Sequence, residues 1–355
     1  MFDFFRLTTG LTFVFAAELL FVSGAVSEPC VTPSDSSFDA IQICDLGVLS
    51  GGSSSFSKAV SEDGRVVVGV SDSSEGERAF RWTEEQGMVD LGVLPGGDES
   101  MAMDVSADGK VVVGHSDSAD GRRAFVWTEE SGMVSLGVGD GYESSGAHAI
   151  SADGRIIAGA VRGAKARIGF RWSADSGMVS IGTEELHPDS AALGISDDGS
   201  VIVGRLGSRA FQWTEGSGVE RLGEINGKPL LTAHDASSDG AVIVGEAVKF
   251  TRSKAFVWRQ TGQGHELMPS VDVRSAVLMA VNPDATQFVG AIGVQDTRIA
   301  FIVSNSGSSG LLGRLPKEGG YISSKAQDLS ADGSVVVGSS SGPDGNRAVL
   351  WRLER

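Results

Sequence analysis

The stretch Ser106-Ala-Asp-Gly-Lys-Val-Val-Val-Gly114 decides how the rest of the chain is read, because variants of it recur seven times. Copies stand at 61–69, 106–114, 151–159, 196–204, 237–245, 282–290 and 330–338, spaced by 45, 45, 45, 41, 45 and 48 residues. A fixed period of this length marks a repeat architecture, in which neighbouring units cover one another's apolar faces. Asp-Gly is a hairpin-turn signal, and the β-branched run after it reads as a strand buried on both faces. A residue present in every copy is therefore assigned first to the framework of the repeat.

The copy at 101–145 carries four short strand patterns, at Met101–Ser106, Lys110–His115, Arg123–Thr128 and Met133–Val138. No long, capped stretch of 3.6-residue periodicity interrupts the array, so helices are not expected. Four antiparallel strands per repeat predict an all-β fold, a seven-bladed β-propeller of four-stranded antiparallel blades. The ends agree with this reading. The last copy stops after its third strand, at Ala348–Arg355, while Ile41–Leu49 matches Met88–Leu94 and precedes the first full strand set. An N-terminal strand completing the last blade closes the ring and removes two open edges. Four residues before each motif stand Ser57, Ala102, Ala147, Ala192, Ala233, Leu278 and Ala326. These mostly small side chains are expected to face the crowded axis.

Residues 1–27 read as a signal peptide: Arg6, an apolar stretch from Leu11 to Val22, then the small-x-small pattern Ala25-Val26-Ser27. Asp3 and Glu18 depart from that pattern, and no other segment is apolar enough to cross a bilayer. The remaining 28–355 form a single propeller domain, secreted, periplasmic or on the cell surface. The two cysteines, Cys30 and Cys44, read as one disulfide in an exported chain, stapling the closing strand to its lead-in; two buried thiols are the alternative. A net charge of −17 argues against a nucleic-acid partner. A monomer with an extracellular protein or glycan partner is expected.

The run from Arg78-Ala-Phe-Arg-Trp82 through Gly87-Met-Val-Asp-Leu-Gly92 and Ala102-Met-Asp-Val-Ser106 to Gly114 resembles the HAF-repeat family of extracellular repeat proteins. The likeness extends from about 41 to 355. It implies an extracellular repeat protein and no particular activity. The histidine of the family pattern is replaced by Arg78, Arg123, Arg209, Lys254 and Arg347, and by Ile168 and Ile299.

Trp82, Trp127, Trp172, Trp213, Trp258 and Trp351 share one third-strand position, with Val303 in the seventh copy. Blade-to-blade packing accounts for them; the sharper alternative is a multivalent lectin in which each tryptophan pairs with a nearby Arg or Lys. The Ser-x-Asp-Gly motif lacks the alternating oxygen ligands of a calcium loop and reads as a serine-capped turn. His148 and His234 share one inner-strand position, and Asp104, Asp235 and Asp328 share the next. Together they are candidates for ligand binding, a metal or acid–base chemistry at the channel; strand alternation sends the two positions to opposite, covered faces, which favours satisfied core polar groups as the alternative. The loops leading into the blades vary most and gather on one rim, where Tyr142, Tyr321 and Arg274 are candidate ligand contacts.

No zinc-protease helix, Walker loop or dinucleotide fingerprint appears, and no cofactor, metal ligand or catalytic residue is assigned. The chain is expected to be a binding or interaction module. The alternatives are an enzyme acting on an extracellular polysaccharide or other polymer, and a lectin.

Overall fold

Each Ser-x-Asp-Gly motif builds the turn between the first and second strands of a blade. Ser106 Oγ donates to Asp108 Oδ1 at 2.8 Å and accepts the Val111 amide at 3.0 Å, while Gly109 takes a φ of 70°. The same bonds recur at Ser61, Ser151, Ser196, Ser237 and Ser330. The computed structural model describes residues 30–182, 188–225, 227–249, 252–260, 275–294, 297–316, 322–343 and 345–354. The signal-peptide reading of 1–27, Arg274 and Tyr321 lie outside them.

The turn glycine has a second role, which is close approach. A Cβ on Gly240, at φ 69°, would stand 2.3 Å from Val201 Cγ2 of the preceding blade. Gly240→Ala is therefore expected to cost about 3 kcal/mol, from the left-handed backbone plus the displaced valine. Urea denaturation followed by tryptophan fluorescence measures it, and an unchanged midpoint would contradict the packing role. The sixth copy, Asn282-Pro-Asp-Ala285, departs from the rule, with Ala285 at φ 55°. There the methyl group is buried among the blade 5 and blade 6 side chains, which offsets the strained backbone.

At this end of the ring, backbone hydrogen bonds link successive blades. Glu62 N–H donates to Ala107 O, Ala107 to Ala152, Ala152 to Asp197, Asp198 to Ser238, Ser238 to Pro283 and Ala331 to Glu62, at 3.0–3.3 Å. Pro283 has no N–H to continue the circle. Asn282 Nδ2 supplies the missing link, donating to Ala331 O at 3.3 Å. The one copy that begins with Asn is the one whose next residue cannot donate.

The strands assemble into seven four-stranded antiparallel sheets. Their inner strands are Ser55–Val60, Ser100–Val105, Ser144–Ile150, Ser190–Ile195, Lys228–Ala236, Ser275–Val281 and Ser323–Leu329, taken as blades 1 to 7. In blade 5 the short strand Glu224–Ile225 precedes the inner strand and pairs with the start of Lys228–Ala236 to complete four strands, and the residues expected to form its outer strand, after Gln260, lie outside the described residues. Between the blades lie apolar clusters anchored by Phe80, Phe125, Phe170, Phe211, Phe256 and Phe301, each no more than 1% exposed. Each phenylalanine is paired with the glycine ending a motif, as Phe80 with Gly69, where the absent side chain leaves room for the ring. Trp82 and Trp351 are buried, and the other four tryptophans pack half-buried at the cluster edges.

The ring closes as the termini indicated. Ile41–Asp45 pairs antiparallel with the last strand, Gly345–Leu353, placing Ile43 opposite Trp351. Cys44 of this closing strand is disulfide-bonded to Cys30, and Val31 and Ile43 exchange two backbone hydrogen bonds beside it.

Candidate functional site

What faces the axis is set by an irregularity repeated in every inner strand. Pairing with the second strand slips by one residue between Ser57 and Ala59, and at the equivalent place in the other six blades. A β-bulge of this kind sets two residues against one, so simple alternation fails there. The two histidine and aspartate positions therefore do not diverge to opposite faces; both line the channel. The small residues four before the motif do not line it. Ala102, Ala147, Ala192, Ala233, Leu278 and Ala326 are buried in the clusters between blades.

All inner strands run from a lead-in loop to a Ser-x-Asp-Gly turn, which gives the channel two distinct ends. The lead-in side holds a cavity of about 350 Å³, into which Lys58, His148, His234 and Lys325 open together with apolar Met103, Leu193 and Met279. The turn side holds a cavity of about 100 Å³ bordered by Glu62 and Asp197. Asp104, Asp235 and Asp328 border both cavities and form the waist between them.

The three aspartates follow a pairwise rule. Asp104 accepts the Val105 amide of its own strand and the Ile150 amide of blade 3, both at 2.8 Å. Asp235 takes Ala236 at 2.8 Å and Val281 of blade 6 at 3.0 Å. Asp328 takes Leu329 at 2.8 Å and, across the seam, Val60 of blade 1 at 2.9 Å. One carboxyl group thus serves two adjacent bulges, and three serve six of the seven inner strands. Blade 4 stands apart. It carries Gly194, where a Cβ would meet His234 O at 2.5 Å, and His148 Nδ1 bonds Ala192 O at 2.7 Å.

Burial dominates the ionisation of these groups. It pushes Asp104 up to about 8 and Asp328 up to about 6, and Asp235 rises well above the usual carboxylate range; mutual repulsion adds to the first and last of these, while the amides oppose. Burial also lowers His148, lowers His234 to about 4, and leaves His234 Nε2 without a hydrogen-bond partner. Lys58 is lowered by burial, and Lys325 falls to about 8 through burial and then the neighbouring charges of Lys58 and Arg298. The waist therefore carries less negative charge than three ordinary carboxylates would, and the cationic side chains at the lead-in cavity are Lys58 and Lys325.

The structure brings His148, His234, Asp104 and Asp235 to one channel and keeps Tyr142 away from it. Tyr142 is half-buried against the cluster between blades 2 and 3. Sequence reasoning missed Lys58 and Lys325, which occur singly and at different positions of their copies. Arg78, Arg123 and Arg347, at the position of the family histidine, donate to the next lead-in loop at Asp98 O, Glu143 O and Ser53 O. Gly338-Ser-Ser-Ser-Gly342 fits a nucleophile-elbow spacing, but Ser340 is fully buried in mid-strand and accepts the Leu315 amide at 3.2 Å. A groove of about 720 Å³ between blades 1 and 7 is larger than the channel cavities but open; Arg352 and Glu84 pair across it at 2.8 Å. Among the described residues no group of three or more His, Cys, Asp or Glu side chains is placed to hold a metal ion.

No family model and no curated protein matches this chain. Solved structures do. An oligogalacturonate lyase from Vibrio parahaemolyticus superposes with a TM-score of 0.63 at 11% identity, covering 93% of this chain and 98% of that one. An oligogalacturonate lyase in complex with manganese gives 0.62 at 12% identity, over 92% and 96%. A streptogramin B lyase gives 0.57 at 10%, over 89% and 98%. At these identities the likeness establishes the class, a seven-bladed β-propeller, and nothing of activity.

Proposed function

We propose that this chain is an exported binding propeller of the HAF-repeat type, whose ligand enters the axial cavity on the lead-in side. The observation that carries the reading is convergence: Lys58, His148, His234 and Lys325, polar residues that most repeats lack, meet at one cavity on the axis. A lectin with one site per blade is less well supported, since its tryptophans are packed into blade interfaces and its arginines hold lead-in loops. Catalysis by the aspartates is also less well supported, because each has both carboxyl oxygens engaged by backbone amides. The single disulfide and the leader pattern support export.

An extracellular glycan and protein array, read with the wild-type chain and with Leu193→Trp, tests the site. Leu193 lines the cavity and takes no part in the carboxyl clasps, so a tryptophan there is a steric test of the site. A ligand that binds both proteins equally would move the site elsewhere. Cell fractionation with mass spectrometry of the mature N-terminus tests export, with Glu28 expected as the first residue.

A further inference from the structure

The lead-in cavity has a charge opposite to that of the molecule around it. The chain carries a net −17, yet this cavity is bordered by two lysines, Lys58 and Lys325, beside His148 and His234, whose cationic forms burial disfavours. Among the described residues its only acidic lining residues are the three waist aspartates, whose oxygens face the bulge amides. Lys58 and Lys325 stand on the adjacent inner strands of blades 1 and 7, close enough to repel one another. Glu77 attracts the first and Glu246 the second, but burial outweighs both attractions. Two half-buried ammonium groups bordering one cavity are costly unless something neutralises them.

We propose that the lead-in cavity is an anion site, in which Lys58 and Lys325 grip the carboxylate or phosphate group of a small ligand. His234 lines the cavity with its buried Nε2 lacking a hydrogen-bond partner, and Met103, Leu193 and Met279 provide apolar contact for the ligand body. A volume of about 350 Å³ suits one sugar-sized or citrate-sized group. This inference rests on the channel reading above and adds the chemical class of the ligand.

Isothermal titration of the mature chain with citrate, inorganic phosphate and neutral maltotriose tests it. Citrate or phosphate is expected to bind one to one, and the stronger of the two identifies the anionic group. Lys58→Met and Lys325→Met should each weaken that binding about tenfold or more, with Lys325→Arg retaining it. Unliganded Lys325→Met should melt no lower than wild type, since a desolvated cation has been removed; this separates lost recognition from lost folding. Raising the pH from about 6.5 to about 9.5 should weaken binding at least several-fold. Lys325, which faces Lys58, Glu246 and Arg298, discharges over that interval, while the nearby carboxyls Asp104 and Asp328 gain negative charge. Absence of binding by either anion, or equal binding by wild type and both methionine variants, overturns the proposal. If maltotriose alone binds and Leu193→Trp abolishes that binding, the anion class fails while the channel site stands.

Discussion

A chain that begins at Ser50, and so lacks the closing strand, is expected to lose its cooperative unfolding transition and to aggregate. Ile41, Ile43, Leu46 and Leu49 are all buried by this segment. At about 1.5–3 kcal/mol for each buried side chain, their loss removes roughly 6–12 kcal/mol. The whole stability of a domain is about 5–15 kcal/mol. The deletion also uncovers Trp351 and leaves Gly345–Leu353 as an unpaired edge, a template for further strand addition. Ile43→Asp makes the same test at constant length. Replacing Cys30 and Cys44 with serine should cost less, about 3 kcal/mol, because the bridge closes a short loop while the strand pairing remains. Urea unfolding followed by circular dichroism and light scattering distinguishes the three. A Ser50 chain that unfolds at the wild-type midpoint would show that the ring does not need its seam.

The seam was legible because repetition turns a missing strand into a countable gap: the last copy lacked what Ile41–Leu49 supplied. The turns were legible for a similar reason, since Ser, Asp and Gly at fixed offsets state their own hydrogen bonds. The bulge was not. Alternation is the rule by which a strand is read, and a one-residue slip leaves no residue type of its own in a single copy. A signal did exist in the comparison of copies. The position three before the motif varies as Lys58, Met103, His148, Leu193, His234, Met279 and Gln327, whereas the position just before it is small in all copies but the sixth, which has Leu278, and the one just before the motif is always apolar. Wide variation inside a repeated buried strand marks a place that opens onto a void. The aspartates at the next position appeared as a candidate reactive cluster, because their partners are amides exposed only by the bulge. Lys58 and Lys325 were passed over since each is alone in its copy, and only the closed ring makes them neighbours.

Asp235→Ala is expected to destabilise the protein by about 2–5 kcal/mol, since it leaves two buried amides, those of Ala236 and Val281, without an acceptor. The clasp also makes stability depend on pH in an unusual direction for a carboxyl group. Asp104 and Asp235 hold their protons more tightly folded than unfolded, so the native state binds more protons than the unfolded chain once the pH exceeds about 4. Their contribution is complete in acid and is lost as the pH rises, through about 6 for Asp328 and about 8 for Asp104. The wild-type melting temperature should therefore fall between about pH 5 and pH 9. General repulsion in a chain of net −17 pulls the same way, so the informative quantity is a difference between proteins. Asp235→Asn keeps one carbonyl acceptor and cannot ionise. It should be less stable than wild type at about pH 5, and that deficit should shrink as the wild-type carboxyl is forced to discharge its proton. A constant gap across the range would mean that Asp235 keeps the same charge folded and unfolded, and that the waist is built from ordinary carboxylates stabilised by their amides.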